Sequence, residues 1–306
     1  MKNILILYPS WESRSYDGFL RDIEKSAFTD CIIIRNETHH CEAALKQVDE
    51  IQQKCTANHI RTSYLNIDHD VTNNWRIIEE KISTFVDNED KIYLDITTMS
   101  RNVVWSLLYF LRAKVRTVDI VYHMPETYNN DWISREPEQP RLLFKHSGIY
   151  DLAKRTTLVL VTGFDEERTK YMLYKYEPQK VYLLVQEGEQ FNNNERNNEG
   201  IHRLVCEDFG LNKDNIISMS INSYSSDFGF DAIESVIQEE SLSNIILASF
   251  GPKPSAIAAY QCYMQHPEIA LCYLPCKDYN IDYCQGIGDS VSYTLNFPEE
   301  VKTCLT

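Results

Sequence analysis

The sequence predicts an α/β protein: two tandem Rossmann-like, doubly wound lobes with mainly parallel sheets, related by internal duplication. Three observations predict it. Short apolar runs alternate with amphipathic helical patterns along the chain, a rhythm that implies βαβ units and parallel sheets. A set of five strands occurs twice. Three polar motifs recur in the same order at nearly the same offset.

The strands of the first half are expected at residues 4–8, 31–34, 62–65, 92–96 and 118–122, with helical patterns between them, for instance at 42–54 and 74–86. The second half repeats them at 157–162, 180–185, 216–221, 244–248 and 270–274. This places lobe 1 at residues 1–128 and lobe 2 at 155–306. Residues 129–154, with Pro137 and Pro140, form the connection and include a possible hairpin around 141–144. The Asn- and Glu-rich stretch 187–200 reads as a solvated surface loop.

With 306 residues the chain has room for about two domains. No apolar run reaches the roughly 20 residues that span a bilayer. The N-terminus reads as a first strand rather than a signal peptide. A cytosolic protein is expected, with no membrane partner. Thirty Lys and Arg against 45 Asp and Glu give a net charge of −15. That disfavours long nucleic acids as partners, while a local cluster of N–H groups and cations can still hold a small anion. The nine cysteines are expected as free thiols. Cys272 and Cys276 lack histidine partners at metal-ligand spacing, and His39-His40-Cys41 reads as an exposed loop. No metal and no cofactor are expected.

The repeats concentrate the polar residues. After the first strand of each half comes Glu-x-Arg: Glu12-Ser13-Arg14, then Glu166-Glu167-Arg168, an arginine offset of 168 − 14 = 154. After the fourth strand comes a polar turn that enters a helix: Asp95-Ile96-Thr97-Thr98-Met99-Ser100-Arg101, then Ser249-Phe250-Gly251-Pro252-Lys253-Pro254-Ser255. Arg101 to Lys253 is an offset of 253 − 101 = 152. After the fifth strand comes Tyr-Asn-x-Asp, at Tyr128-Asn129-Asn130-Asp131 and Tyr279-Asn280-Ile281-Asp282, offset 279 − 128 = 151, with Pro125 and Pro275 ahead of the two copies.

In an open parallel sheet, ligands bind beyond the carboxyl ends of the strands, where the strand order reverses. With order 3-2-1-4-5, all these motifs meet at that edge. Thr97, Thr98 and Ser100, or Gly251 and Ser255, then offer hydroxyls and free N–H groups to an anion at a helix N-terminus, and Arg101 or Lys253 adds charge. Ser100 and Ser255 are read equally well as helix caps. Arg14 and Arg168 either support the ligand or pair with Glu12 and Glu166. Tyr279 and Asn280 have the chemistry to stack on a base and read its edge. Asp95, at the end of an apolar strand, needs a partner. It either orders the turn or acts in catalysis or ligand binding, with Glu12 and Glu166 as further acid/base candidates.

The two strand-4 turns, Asp95–Arg101 and Gly251-Pro252-Lys253-Pro254-Ser255-Ala256-Ile257-Ala258, resemble the signature of CARF-like Rossmann domains. Ser249 stands at the position of Asp95 in the second copy. The resemblance implies paired lobes that bind cyclic oligoadenylates or related nucleotides in antiviral signalling. Glu-x-Arg, Gly-Pro-Lys-Pro and the Tyr-Asn-x-Asp loop also look similar to an uncharacterised group of bacterial proteins. The expectation is a bacterial sensor or regulatory protein that binds a nucleotide-like or phosphorylated ligand in the cleft between the lobes, in antiphage defence. Two alternatives stay open: an enzyme that cleaves a cyclic nucleotide or nucleoside in the inter-lobe cleft, and a non-catalytic scaffold for an operon-encoded partner.

Overall fold

The computed structural model describes residues 1–36, 42–68, 70–192 and 194–298. The His39-His40-Cys41 loop therefore lies outside the described residues. The chain divides into two units, residues 1–126 with 285–306, and residues 127–284.

Unit 1 alternates strand and helix: β1 (Asn3–Leu7), α1 (Arg14–Lys25), β2 (Asp30–Asn36), α2 (Glu42–Ala57), β3 (Arg61–Ile67), α3 (Val71–Phe85), β4 (Lys91–Asp95), α4 (Arg101–Leu111) and β5 (Thr117–His123). Unit 2 opens with β6 (Thr127–Tyr128), β7 (Ser134–Pro137) and β8 (Arg141–Leu142). Unit 2 repeats the alternation with β9 (Thr156–Val161), α5 (Glu166–Tyr176), β10 (Lys180–Gln186), α6 (Glu189–Asn192), α7 (Glu199–Phe209), β11 (Ile216–Ile221), α8 (Phe230–Glu239), β12 (Asn244–Ser249), α9 (Pro254–Gln265) and β13 (Ala270–Tyr273). The chain ends in β14 (Cys276–Tyr279), β15 (Cys284–Gln285) and β16 (Ser290–Asn296). Among the described residues, no helix is long and apolar enough to cross a membrane.

All ten strands read from the sequence are present, because fully buried central strands are near-continuous Val/Ile/Leu runs. β9 is buried at every residue, and so is β12. The sheet orders are β16-β5-β4-β1-β2-β3 and β11-β10-β9-β12-β13-β8. Read from the antiparallel edge, they are the same order twice. In each, the first and fourth strands are neighbours, as the duplication requires for a shared polar edge. Apolar residues of α1 and α2 close one face of the first sheet around Leu5, Leu7, Phe19, Ile33 and Ile51. Met172, Leu173 and Cys206 do the same against Leu158, Leu160 and Leu183 in the second.

The edge strands depart from the lobe boundaries at 128 and 155. β8, which follows the fifth strand of the first copy, pairs antiparallel with β13 of the second. β16, which follows the fifth strand of the second copy, pairs antiparallel with β5 of the first. Each copy thus donates its edge strand to the other sheet, and residues 285–296 belong with unit 1. The supposed hairpin at 141–144 is one edge strand whose partner is β13.

The 187–200 stretch is pinned rather than simply solvated. Phe191 is buried and stacks at 5.5 Å on Tyr224. Asn197 donates to the Gln186 carbonyl, and Arg196 bonds Asp165 at 3.0 Å.

Candidate functional site

The carboxyl edge of each sheet gathers the polar residues that the repeats single out, and each unit uses them differently.

In unit 1, Glu12 and Arg14 form a buried ion pair. Arg14 Nη1 also donates to the His123 carbonyl at 2.8 Å, which ties the β1 loop to the end of β5. Of the two readings of this Glu-x-Arg, the geometry supplies the structural pair. Asp95 ends β4, almost fully buried, and accepts from the Thr97 amide at 2.8 Å. It therefore orders its turn. Burial, reinforced by the Asp22 charge, pushes its carboxyl up to about 6, against the opposing pull of His123 and the bonds from Thr97. The Thr97 hydroxyl accepts from the His123 amide at 3.0 Å, and the Thr98 hydroxyl donates to the Tyr8 carbonyl. Both hydroxyls thus join strands. Ser100 occupies the cap position of α4, but its side chain makes no capping bond. Arg101 opens the helix, half-buried.

The structure adds two residues that sequence reasoning missed. His123, at the end of β5, is fully buried, with Nε2 3.3 Å from Asp22 Oδ2 and Nδ1 2.7 Å from Ser290 Oγ. Asp22 lies on α1. Asp22, Asp95 and His123 offer ligand-type atoms that all lie within 4.8 Å of one another. Burial works against charge on His123, but the bond to Asp22 and the field of both carboxylates outweigh it and raise its pKa. Gly18 makes room for the ring: a Cβ there would stand 2.3 Å from His123 Cδ2. A glycine inside a helical pattern was the available signal, since it costs about 1 kcal/mol against alanine and needs a packing reason.

In unit 2 the carboxylate beside the arginine is Asp165, not Glu166. Asp165 is buried and accepts from the Ser134 amide at 3.0 Å, the Ser134 hydroxyl at 2.7 Å and Arg196. Glu166 is the half-buried first residue of α5. Burial opposes the charge of Arg168, and Cys276, Tyr279 and Asp165 beside it more than restore it. Its guanidinium carbon lies 5.6 Å from the Phe250 ring centre, and its buried Nε has no hydrogen-bond partner.

Ser255 sits inside α9, where its hydroxyl donates to the Pro252 carbonyl and meets the Ser249 hydroxyl at 2.6 Å. Lys253, half-buried, holds the cap position instead. At Gly251 the close neighbours are the protein's own: a Cβ would stand 2.6 Å from Gln186 Nε2 and 2.9 Å from the Thr162 carbonyl. Gln186 is buried, and its Nε2 is likewise unpartnered.

The Tyr-Asn-x-Asp loops bond to each other. Asn280 donates to the Trp132 carbonyl at 2.9 Å and accepts from the Asp282 amide. The Asn129 amide donates to the Tyr283 carbonyl at 2.8 Å. The Tyr279 hydroxyl accepts from the Cys276 amide at 3.4 Å. Both polar ends of the Asn280 side chain are committed to this loop pair.

Fold and site define the class: a tandem, doubly wound α/β protein whose polar residues gather at the carboxyl edges of two like sheets. No protein-family model matches the chain, and no curated protein matches it in sequence. Among solved structures, it is similar at 11% identity and a TM-score of 0.29 to a universal stress protein from Archaeoglobus fulgidus DSM 4304, covering 91% of this chain and 97% of that one. A putative universal stress protein from Pseudomonas aeruginosa UCBPP-PA14 matches at 11% identity and 0.28, over 89% and 92%. The cytoplasmic domain of a prokaryotic cation chloride cotransporter matches at 11% and 0.30, over 92% and 99%. At such values the likeness carries no functional argument.

Proposed function

We propose that the protein binds a nucleotide-like or phosphorylated small molecule at the carboxyl edge of β9 and β12 in unit 2, as a sensor or regulatory component. The observation that carries this reading is a pair of buried, unpartnered donors that converge on one turn. Arg168 Nε and Gln186 Nε2 both lack hydrogen-bond acceptors. Arg168 stands over Phe250, and Gln186 lies against Gly251. This is the second copy of the strand-4 turn, directly before the N-terminus of α9. A buried donor without a partner costs roughly 1–3 kcal/mol, more when charged. An anion accepts from several donors at once, and a helix N-terminus favours it. Lys253, at the cap of the same helix, adds charge to that position.

The resemblance of the two turns to CARF-like domains directs the choice of ligand toward cyclic oligoadenylates and related nucleotides, and the biological setting toward antiphage defence. The test is calorimetric titration of mononucleotides and cyclic oligonucleotides into the full chain. Lys253→Ala and Gln186→Leu are each expected to weaken binding about tenfold, the lysine part falling with added salt. No heat across the panel, or parent-like affinity in both variants, refutes the reading. Mass spectrometry of the ligand after long incubation separates sensing, which leaves it intact, from cleavage.

A further inference from the structure

We propose that Asp22, Asp95 and His123 form a binding site for one divalent transition-metal ion in unit 1, independent of the anion site proposed in unit 2. The donor set is two carboxylates and one imidazole, with ligand-type atoms within 4.8 Å of one another. Donors on a tetrahedral ion with bonds of about 2.1 Å stand roughly 3.4 Å apart. His123 Nε2 and Asp22 Oδ2 lie 3.3 Å apart, near that spacing and long for a charge-assisted hydrogen bond. The other ring nitrogen is held by Ser290 Oγ at 2.7 Å. Such a second bond fixes the tautomer of a metal-ligating histidine and presents Nε2 to the ion.

Charge and packing point the same way. Two carboxylates and one imidazole are closed off from water, with Asp22 8%, Asp95 4% and His123 0% exposed. Arg21, whose charge reaches His123, directs its guanidinium to the Ile287 and Gly288 carbonyls, and Arg14, which donates to the His123 carbonyl, is paired with Glu12. A buried carboxylate pair requires compensating positive charge. The mixed oxygen and imidazole set suits Mn²⁺, Fe²⁺ or Zn²⁺ better than Mg²⁺ or Ca²⁺.

The fold itself does not require the cluster, because the chain builds the same architecture twice. Asp95 lies on the face of the first sheet that carries Leu5 and Leu7 beneath α1, and the corresponding face of the second sheet, beneath α5, carries Ala248 near the end of β12. On the neighbouring strand, that face carries His123 in the first sheet and Cys272, followed by Leu274, in the second. The helix offset carries Asp22 onto Tyr176 and Gly18 onto the buried core residue Met172. Unit 2 thus fills with a methionine the space that unit 1 clears for an imidazole.

The test is Mn²⁺ binding to the full chain after dialysis against EDTA, followed by the paramagnetic resonance signal of free Mn²⁺. Mn²⁺ has little affinity for thiols, so the cysteines do not obscure the result. One bound Mn²⁺ per chain is expected, with a rise in the melting temperature. His123→Gln is expected to abolish binding, and Ser290→Ala to weaken it about 10–100-fold. An undiminished free Mn²⁺ signal with the parent protein overturns the proposal. So does parent-like binding in a His123→Gln variant shown to be folded by circular dichroism. If that variant does not fold, parent-like affinity in Ser290→Ala overturns it. Nucleotide binding in unit 2 is measured separately, so failure of one site does not register as failure of the other.

Discussion

Gly18→Ala tests the packing of unit 1 most directly. Gly18 lies in the interior of α1, where alanine would ordinarily add about 1 kcal/mol of helix stability. Here the added Cβ would stand 2.3 Å from His123 Cδ2 and 2.9 Å from Nε2. The ring must move by roughly 1 Å to reach ordinary contact, and overpacking of this kind costs about 1–3 kcal/mol. The imidazole is boxed in by Asp22 and Ser290, while Thr97 and Arg14 hold its backbone. Movement breaks at least one buried bond, at a further 1–3 kcal/mol or so. Offset by the helix gain, the expected net loss is about 3 kcal/mol. With a urea slope of about 2 kcal/mol/M, the midpoint falls by roughly 1.5 M. Three of the four tryptophans, Trp11, Trp75 and Trp105, belong to unit 1, so intrinsic fluorescence follows its unfolding. Hydrogen exchange in residues 127–284 is expected to stay as in the parent. A variant as stable as the parent, or more stable, would show that the ring is not confined as described.

Three further outcomes follow from unit 2. Burial lowers the pKa of His202, which is bonded to Thr169 and the Gly163 carbonyl; the unfolded chain, at the ordinary value near 6.5, takes up the proton first, so unit 2 loses stability as pH drops below about 6.5. Denaturant midpoints measured against pH should show that slope flattened in His202→Asn. Gly163→Ala places a Cβ 2.5 Å from the Phe250 carbonyl oxygen, a backbone atom that cannot rotate away; a loss of about 3 kcal/mol in urea melts is expected. Asp165→Ala removes the acceptor for Ser134 and Arg196 and leaves Arg168 without its carboxylate neighbour; a loss of roughly 3–5 kcal/mol is expected, with faster proteolysis near residues 131–137 and 194–197. Parent-like protease resistance would remove Asp165 from its place as the anchor of both segments.

The strands, their order and the polar edge were legible because each rests on local chemistry. Buried strands are runs of Val, Ile and Leu, and a polar turn before a helix marks a carboxyl end whatever surrounds it. The duplication was legible because its motifs kept their spacing. The same motifs misled where chain spacing and spatial pairing part company. Glu-x-Arg makes an ion pair at Glu12 and Arg14, but in the second copy the buried carboxylate is Asp165, one residue earlier. Asn280, suited by type to reading a base, instead bonds the Trp132 carbonyl.

The amino-acid order by itself determined two alternating α/β copies, their strand positions and the edge where polar residues collect, because periodicity and turn chemistry act over a few residues. Only the tertiary structure decided that the copies exchange edge strands, and that Asp22, Asp95, His123 and Ser290 converge. Those four are scattered along the chain, and the registers of β4, β5 and β16, together with the space left by a single glycine, bring them together. Pairing at that range is settled by packing and hydrogen-bond satisfaction across the whole sheet, which no local window contains.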